Sequence, residues 1–205
     1  MSAALERAGR RFARVATRAS VASPRLWPLL RPLVRRQFDA LAPSWDARRS
    51  ADSMAPLAAA LERLEHQPAR ILDLGTGTGR AARFLAGRYP AAQVIGVDLA
   101  PEMVEEANSL LAPELRGRVR YQVADAASLP FPENAFDLVV LANMIPFFDA
   151  LDRVTSPEGA LVVAFSNGAE TPIYVPPETL ERRLTGFTRR EEVSAGSGTA
   201  LLARR

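Results

Sequence analysis

The residues best suited to chemistry in this chain lie in one stretch, Ile71 to Gly79, which reads ILDLGTGTG. Three apolar residues interrupted by Asp73 run into glycines at 75, 77 and 79. That pattern predicts a buried parallel strand entering a turn too tight for a Cβ, with a helix from about Arg80. The glycines let main chain approach a ligand closely, and the helix behind them offers unpaired N–H groups at its positive end. A second predicted strand, Gln93 to Val97, ends in Asp98, 23 residues after Gly75. A carboxylate there could take both hydroxyls of a ribose, so the pair of features points to a nucleotide-like ligand. A nicotinamide or flavin site would require G-x-G-x-x-G/A, but Arg80 stands at its last position, where a large side chain would obstruct helix-to-strand packing.

Composition removes several chemistries. With no cysteine there are no disulfides, thiolate metal sites or cysteine nucleophiles, and the single histidine, His66, leaves no His cluster for a metal. Every basic residue is Arg, which excludes a lysine base or Schiff base. His66 is predicted in a connection far from the ligand-binding ends of the strands. Asp46, Asp149, Tyr174 or a water are then the candidates for a general base. The apolar fraction of 48% and charged fraction of 24% are those of a globular protein, and 205 residues suit one domain with a sizeable core.

The charge is uneven. Residues 1–38 hold nine Arg against Glu6 alone, a balance of +8, whereas the remaining residues carry −5. From Ser2 to Ala19, Leu5, Ala8, Phe12, Val15 and Ala19 share one helical face and Arg7, Arg11, Arg14 and Arg18 another. Such a helix could lie on an anionic membrane, bind nucleic acid or fold back on its own domain, and an organelle transit segment has the same composition. Pro24, Pro28 and Pro32 punctuate LWPLLRPLV, which is too short and charged to span a bilayer and reads as one or two helical turns.

Downstream, helices are expected over Met54–Leu64, Arg80–Arg88, Pro101–Leu111, Ala150–Val154 and Glu178–Leu184. Strands are expected over Ile71–Leu74, Gln93–Val97, Val119–Val123, Phe136–Ala142, Ala160–Ser166, Phe187–Val193 and Thr199–Ala203. Glu158-Gly159 reads as a turn, and residues 167–177 as a loop able to reach over the site with Tyr174. Phe136–Ala142 delivers Asn143, then Pro146, Phe147 and Phe148, to the mouth of the site.

With these elements in place, the sequence resembles the class I S-adenosylmethionine (SAM)-dependent methyltransferases. The resemblance is carried by LDLGTGTG at 72–79, GVDLAPEMVEEA at 96–107, VADAASLPF at 123–131 and FDLVVLANMIPFF at 136–148. It implies an α/β fold: a Rossmann-like, doubly wound seven-stranded sheet, mostly parallel with an antiparallel last strand, plus an N-terminal helical cover. The division is then an Arg-rich arm (1–36), a helical lead-in (37–69) and a SAM-binding core (70–205). It implies SAM as cofactor, held by Asp73, Gly75, Thr76, Gly77, Gly79 and Asn143, with Asp98 on the ribose. Leu99 or Met103 would pack on the adenine, Asp125 accept from its amine and the Ala126 N–H reach its ring. QFDALAPSWDARR at 37–49 resembles the cover of small-molecule enzymes, so Phe38, Trp45 and Asp46, with Phe147, Phe148 and Tyr174, are candidates for lining an acceptor pocket. No metal is implied. NMIPFF resembles the N-P-P-[YF] motif of amide and base methylases except for one extra residue, so that chemistry is not carried over.

The expectation is methyl transfer to a small, apolar or aromatic acceptor in the cytoplasm, with peripheral membrane contact through residues 1–36. The alternatives are a nucleic-acid methyltransferase using the Arg-rich arm, and a non-catalytic SAM-binding or membrane-associated protein. Acceptor identity and oligomeric state are left open.

Overall fold

The computed structural model describes residues 3–205; the side chains of residues 3–6 and of Ala51 lie outside it, and with them the expected places of Ser2 and Leu5. In order, α1 (Ala3–Ala22) and α2 (Trp27–Leu41) form a helical hairpin, and short 3-10 turns lead to α3 (Ala55–Glu62). Then follow β1 (Arg70–Leu74), α4 (Arg80–Arg88), β2 (Gln93–Asp98), α5 (Pro101–Ser109), β3 (Val119–Val123) and β4 (Phe136–Ala142). The chain ends with α6 (Phe148–Val154), β5 (Thr155–Phe165), α7 (Pro177–Arg183), β6 (Arg189–Ala195) and β7 (Gly198–Arg204).

The seven strands form one sheet in the order β3-β2-β1-β4-β5-β7-β6. β1 to β5 run parallel, and β7, inserted between β5 and β6, is antiparallel to both. The strand order reverses at β1, where β2 and β4 flank it on either side. In open α/β sheets a ligand crevice lies at such a switch point, outside the carboxyl ends of the strands.

Both faces of the sheet are covered, which is why its central strands read as unbroken apolar runs rather than alternations. Leu72, Leu74, Val139, Leu141, Leu161 and Val163 point to one side, where Trp27 and Val34 of α2, Leu151 of α6 and Leu180 of α7 meet them. Ile71, Leu138, Val140 and Val162 point to the other, against Leu57 and Leu61 of α3 and Leu85 of α4.

Element ends such as that of β6, which starts at Arg189 rather than Phe187, shift by a residue or two, and two elements depart further from expectation. All of LWPLLRPLV after Leu26, which ends a short 3-10 turn, belongs to the 15-residue α2, with Pro28 at its start and Pro32 inside it. An interior proline costs roughly 3 kcal/mol. Trp27 and Val34, two turns apart and both buried, offset that cost by packing into the core. β5 starts at Thr155 rather than Ala160 because Thr155 already pairs with Phe136; the expected turn at Glu158-Gly159 survives as the irregularity before Ala160 pairs with Leu138. Among the described residues no helix is long and apolar enough to cross a membrane.

Candidate functional site: a glycine turn under a helical cover

β1 ends at Leu74 and the chain turns sharply. The N–H groups of Gly75 and Thr76 both donate to the Val97 carbonyl at 2.9 Å, tying the turn to the end of β2. Gly75, Gly77 and Gly79 have φ of 72°, 54° and 80°, a region that strains any residue with a Cβ. At Gly75 a Cβ would also lie 2.5 Å from the Met144 Sδ, and at Gly79 it would collide with the Tyr121 hydroxyl. Gly79 then caps α4, whose first turn faces the same space.

Two carboxylates flank the turn. Asp73 is wholly buried; its Oδ2 accepts from the Thr76 hydroxyl at 2.6 Å and its Oδ1 has no partner. Burial, aided by the negative charge of Asp98 and opposed by Thr76, pushes its carboxyl up to about 6. Asp98, at the end of β2, accepts from the Gly77 N–H (2.9 Å) and the Ala100 N–H (2.9 Å). Burial raises its pKa as well, and those main-chain donors work against the rise. An ionised carboxylate oxygen that accepts one hydrogen bond retains a lone pair for another, so Asp98 can still accept from a diol.

The cover closes over this floor from the N-terminal side. The Trp45 indole lies over Gly77, edge-to-face with Phe38 at 5.5 Å, and the Arg49 guanidinium sits 4.0 Å above the indole. Burial and the charge of Arg80 lower the Arg49 pKa to about 10, with Asp46 opposing. Asp46 accepts from the Thr78 hydroxyl at 2.6 Å and lies 3.7 Å from Arg83, which pins the cover to the glycine turn. Farther along, the Trp27 Nε1–H donates to Asp125 Oδ1 at 2.8 Å and Arg31 to its Oδ2 at 3.1 Å. The Ala127 N–H completes this set at 2.9 Å.

These elements enclose one cavity at the switch point. Of the residues expected to hold a cofactor, Asp73, Gly75, Thr76, Gly77, Asp98, Leu99, Ala126 and Asn143 line it. Gly79, Met103 and Asp125 do not. Gly79 is turned toward Tyr121, Met103 is buried with Ala42 and Ala100, and Asp125 is taken up by α2. Asn143, at φ 59°, accepts through Oδ1 from the Ser166 N–H at 2.9 Å, holding the ends of β4 and β5 together.

Of the expected acceptor residues, Trp45, Asp46 and Phe38 line the cavity, whereas Phe147, Phe148 and Tyr174 do not. Phe147 is buried against Trp27 at 4.8 Å, Phe148 is buried beneath the Arg183 guanidinium, and Tyr174 packs on Phe165 at 5.1 Å. The loop does reach the wall, but through Ile173. Asp149 lies in a separate depression with Arg183 and Arg205, so Asp46 alone of the proposed side-chain bases borders the cavity. The cavity continues into a groove between α1, α2 and residues 171–173. Sequence reasoning missed Trp27, Arg49, Arg80, Met144 and Ile173 as wall residues. Only Arg80, at the head of the helix after the glycines, was readable as such from its position.

The family model described as a methyltransferase domain matches residues 71–159, the stretch from β1 into β5. A malonyl-[acyl-carrier protein] O-methyltransferase of Halorhodospira halophila is 42% identical over 69% of this chain and 50% of its own length. A demethylmenaquinone methyltransferase of Thermus thermophilus is 47% identical over 49% of this chain and 48% of its own. The chain thus spans about half the length of these curated relatives. A crystal structure of a SAM-dependent methyltransferase from Aquifex aeolicus shares the fold with a TM-score of 0.61 at 20% identity, covering 82% of this chain and 97% of that one. Strand order, glycine turn, family match and relatives converge: the chain belongs to the class I SAM-dependent methyltransferase family.

Proposed function

We propose that this chain binds SAM at the β1 turn and transfers its methyl group to a small apolar or aromatic acceptor. The observation that carries the reading is the juxtaposition of Asp73, the turn from Gly75 to Thr78 and Asp98 on one cavity wall with the aromatic cover of Phe38 and Trp45 opposite. The unpartnered Asp73 Oδ1 suits a cationic group, the glycine turn admits a ligand against main chain, and Asp98 suits a ribose. When bound, SAM supplies a methyl carbon made electrophilic by its sulfonium. The chain's task is then positioning, which can contribute roughly 7–11 kcal/mol to lowering the barrier. Trp45 and Phe38 exclude water and offer apolar faces to an acceptor in the adjoining groove. Asp46, committed to Thr78 and Arg83, is poorly placed to take a proton. That favours an acceptor that ionises readily or is already nucleophilic, such as an acidic phenol, an enol-type carbon or a carboxylate.

Peripheral contact of residues 1–36 with a membrane at the cytoplasmic face belongs to the same reading, with nucleic acid the less favoured partner. Incubation with methyl-labelled SAM and a panel of hydroquinones, phenols and carboxylic acids tests the activity. Label transferred to at least one class, and lost in Asp98→Ala, is the expected result. Cofactor binding without transfer to any class would instead make the chain a non-catalytic SAM-binding protein.

A further inference from the structure

Of the large apolar residues left exposed among those described, Val15, Leu26, Leu29 and Leu33 all lie on the α1–α2 hairpin, leaving only Leu110 and Val123 elsewhere. Single exposed leucines are ordinary on a soluble protein, whereas a cluster marks a contact surface. Here the cluster follows from helix geometry. Trp27 and Val34 turn α2 inward, and the side opposite them carries Leu29 (74% exposed) and Leu33 (55%), one turn apart, with Leu26 three residues before Leu29. Arg25 and Arg36 stand on that same outer side, four residues before Leu29 and three after Leu33. On α1, Ala16 and Ser20 face inward, and Val15 is exposed beside the row Arg7, Arg11, Arg14 and Arg18. The two helices are held together where Gln37 donates to the Gly9 carbonyl at 3.1 Å.

Among the described residues, Arg7, Arg11, Arg14, Arg18, Arg25 and Arg36 form no ion pair, whereas Arg31 and Arg35 are paired to Asp125 and Asp39. Apolar residues ringed by unpaired cations on a surface helix match an anionic bilayer, where leucines enter the acyl boundary and guanidinium groups meet phosphates.

We propose that the outer face of the α1–α2 hairpin, with Leu26, Leu29 and Leu33 at its centre, docks this protein on an anionic lipid surface. The proposal rests on the peripheral membrane contact read above and assigns it a face. It has a structural consequence: the inner side of α2 holds Asp125 through Trp27 and Arg31, so the docked helix also forms part of the cofactor cavity wall. A lipid-soluble acceptor could thereby enter the groove from the membrane side.

The test is co-sedimentation of the full chain with vesicles of phosphatidylcholine alone or with about a third phosphatidylglycerol, at low and high salt. Wild type should pellet with the anionic vesicles on the order of tenfold better than with the neutral ones, and lose that advantage at high salt. Leu29→Glu with Leu33→Glu should reduce anionic binding to the neutral level while leaving the unfolding temperature unchanged, since neither side chain is in the core. Arg11→Glu with Arg18→Glu is a second route to the same loss. Wild type that does not pellet overturns the membrane reading itself, and so does retention on RNA, or self-association, without vesicle binding. Wild type that pellets no better than either double variant overturns the assignment to this face while leaving membrane contact in place.

Discussion

Asp73 is the residue on which the electrostatics of the site turn. Its carboxyl is raised to about 6 by burial, above the ordinary value of about 3.9. The folded protein therefore holds this proton more tightly than the unfolded chain does. The resulting stability is fully present below about pH 4 and is lost as pH rises through 6, a swing on the order of 2–3 kcal/mol. Denaturant unfolding of wild type and Asp73→Asn between pH 4 and 7.5 should show wild type falling relative to the variant; parallel curves would contradict the assigned burial. Above pH 6 the ionised Asp73 has an oxygen without a partner, so a cationic ligand group should bind better there than at pH 5. Calorimetry of SAM binding in two buffers of different ionisation heat should accordingly detect proton release near pH 6. The raised pKa is not legible in ILDLG, where only the family resemblance marked Asp73 as a cofactor residue; it comes from β2 and β4 closing over it.

The element that decides whether the site exists is the turn between β1 and α4. Gly79→Ala would combine a left-handed φ with a collision against Tyr121, and a cost of about 1–3 kcal/mol is expected for the backbone strain alone. Thermal unfolding should show that loss together with a weakened response to SAM, and a variant as stable as wild type would contradict the geometry. Elements whose pattern is local were legible: α4, β3 and β4 occupy the residues their periodicity indicates, because buried parallel strands and a glycine-led helix announce themselves in a few residues. α2 was not, since Pro28 and Pro32 read as breaks and only tertiary burial of Trp27 makes the helix worth forming. Its bond to Asp125 spans 98 residues, which no local pattern encodes. Removing that donor in Trp27→Phe should destabilise the protein by about 1–2 kcal/mol without weakening SAM binding, because the ring still fills the wall and Asp125 does not line the cavity. Paired unfolding and binding measurements check both halves.

At the scale of the whole molecule, a mostly parallel sheet with its switch point at β1 presents one crevice, and a basic helical hairpin roofs it. The order of motifs along the chain made the sheet readable before its geometry was known. The acceptor side was less so: Phe147, Phe148 and Tyr174 were placed by sequence at the mouth, yet each is used in packing, because an aromatic after a strand reads the same whether it lines a cavity or fills a core. The central claim is that the β1 turn and Asp98 hold SAM. Thermal unfolding of wild type and Asp98→Ala with SAM, its demethylated product or NAD tests it most directly. A ligand at 100 times its Kd adds about 2.7 kcal/mol, which for a domain of this size is a shift of roughly 5–10 °C. That shift should appear for wild type with SAM and its product, be absent with NAD and vanish in Asp98→Ala. A shift with NAD alone, or one with SAM that Asp98→Ala retains in full, would contradict the account.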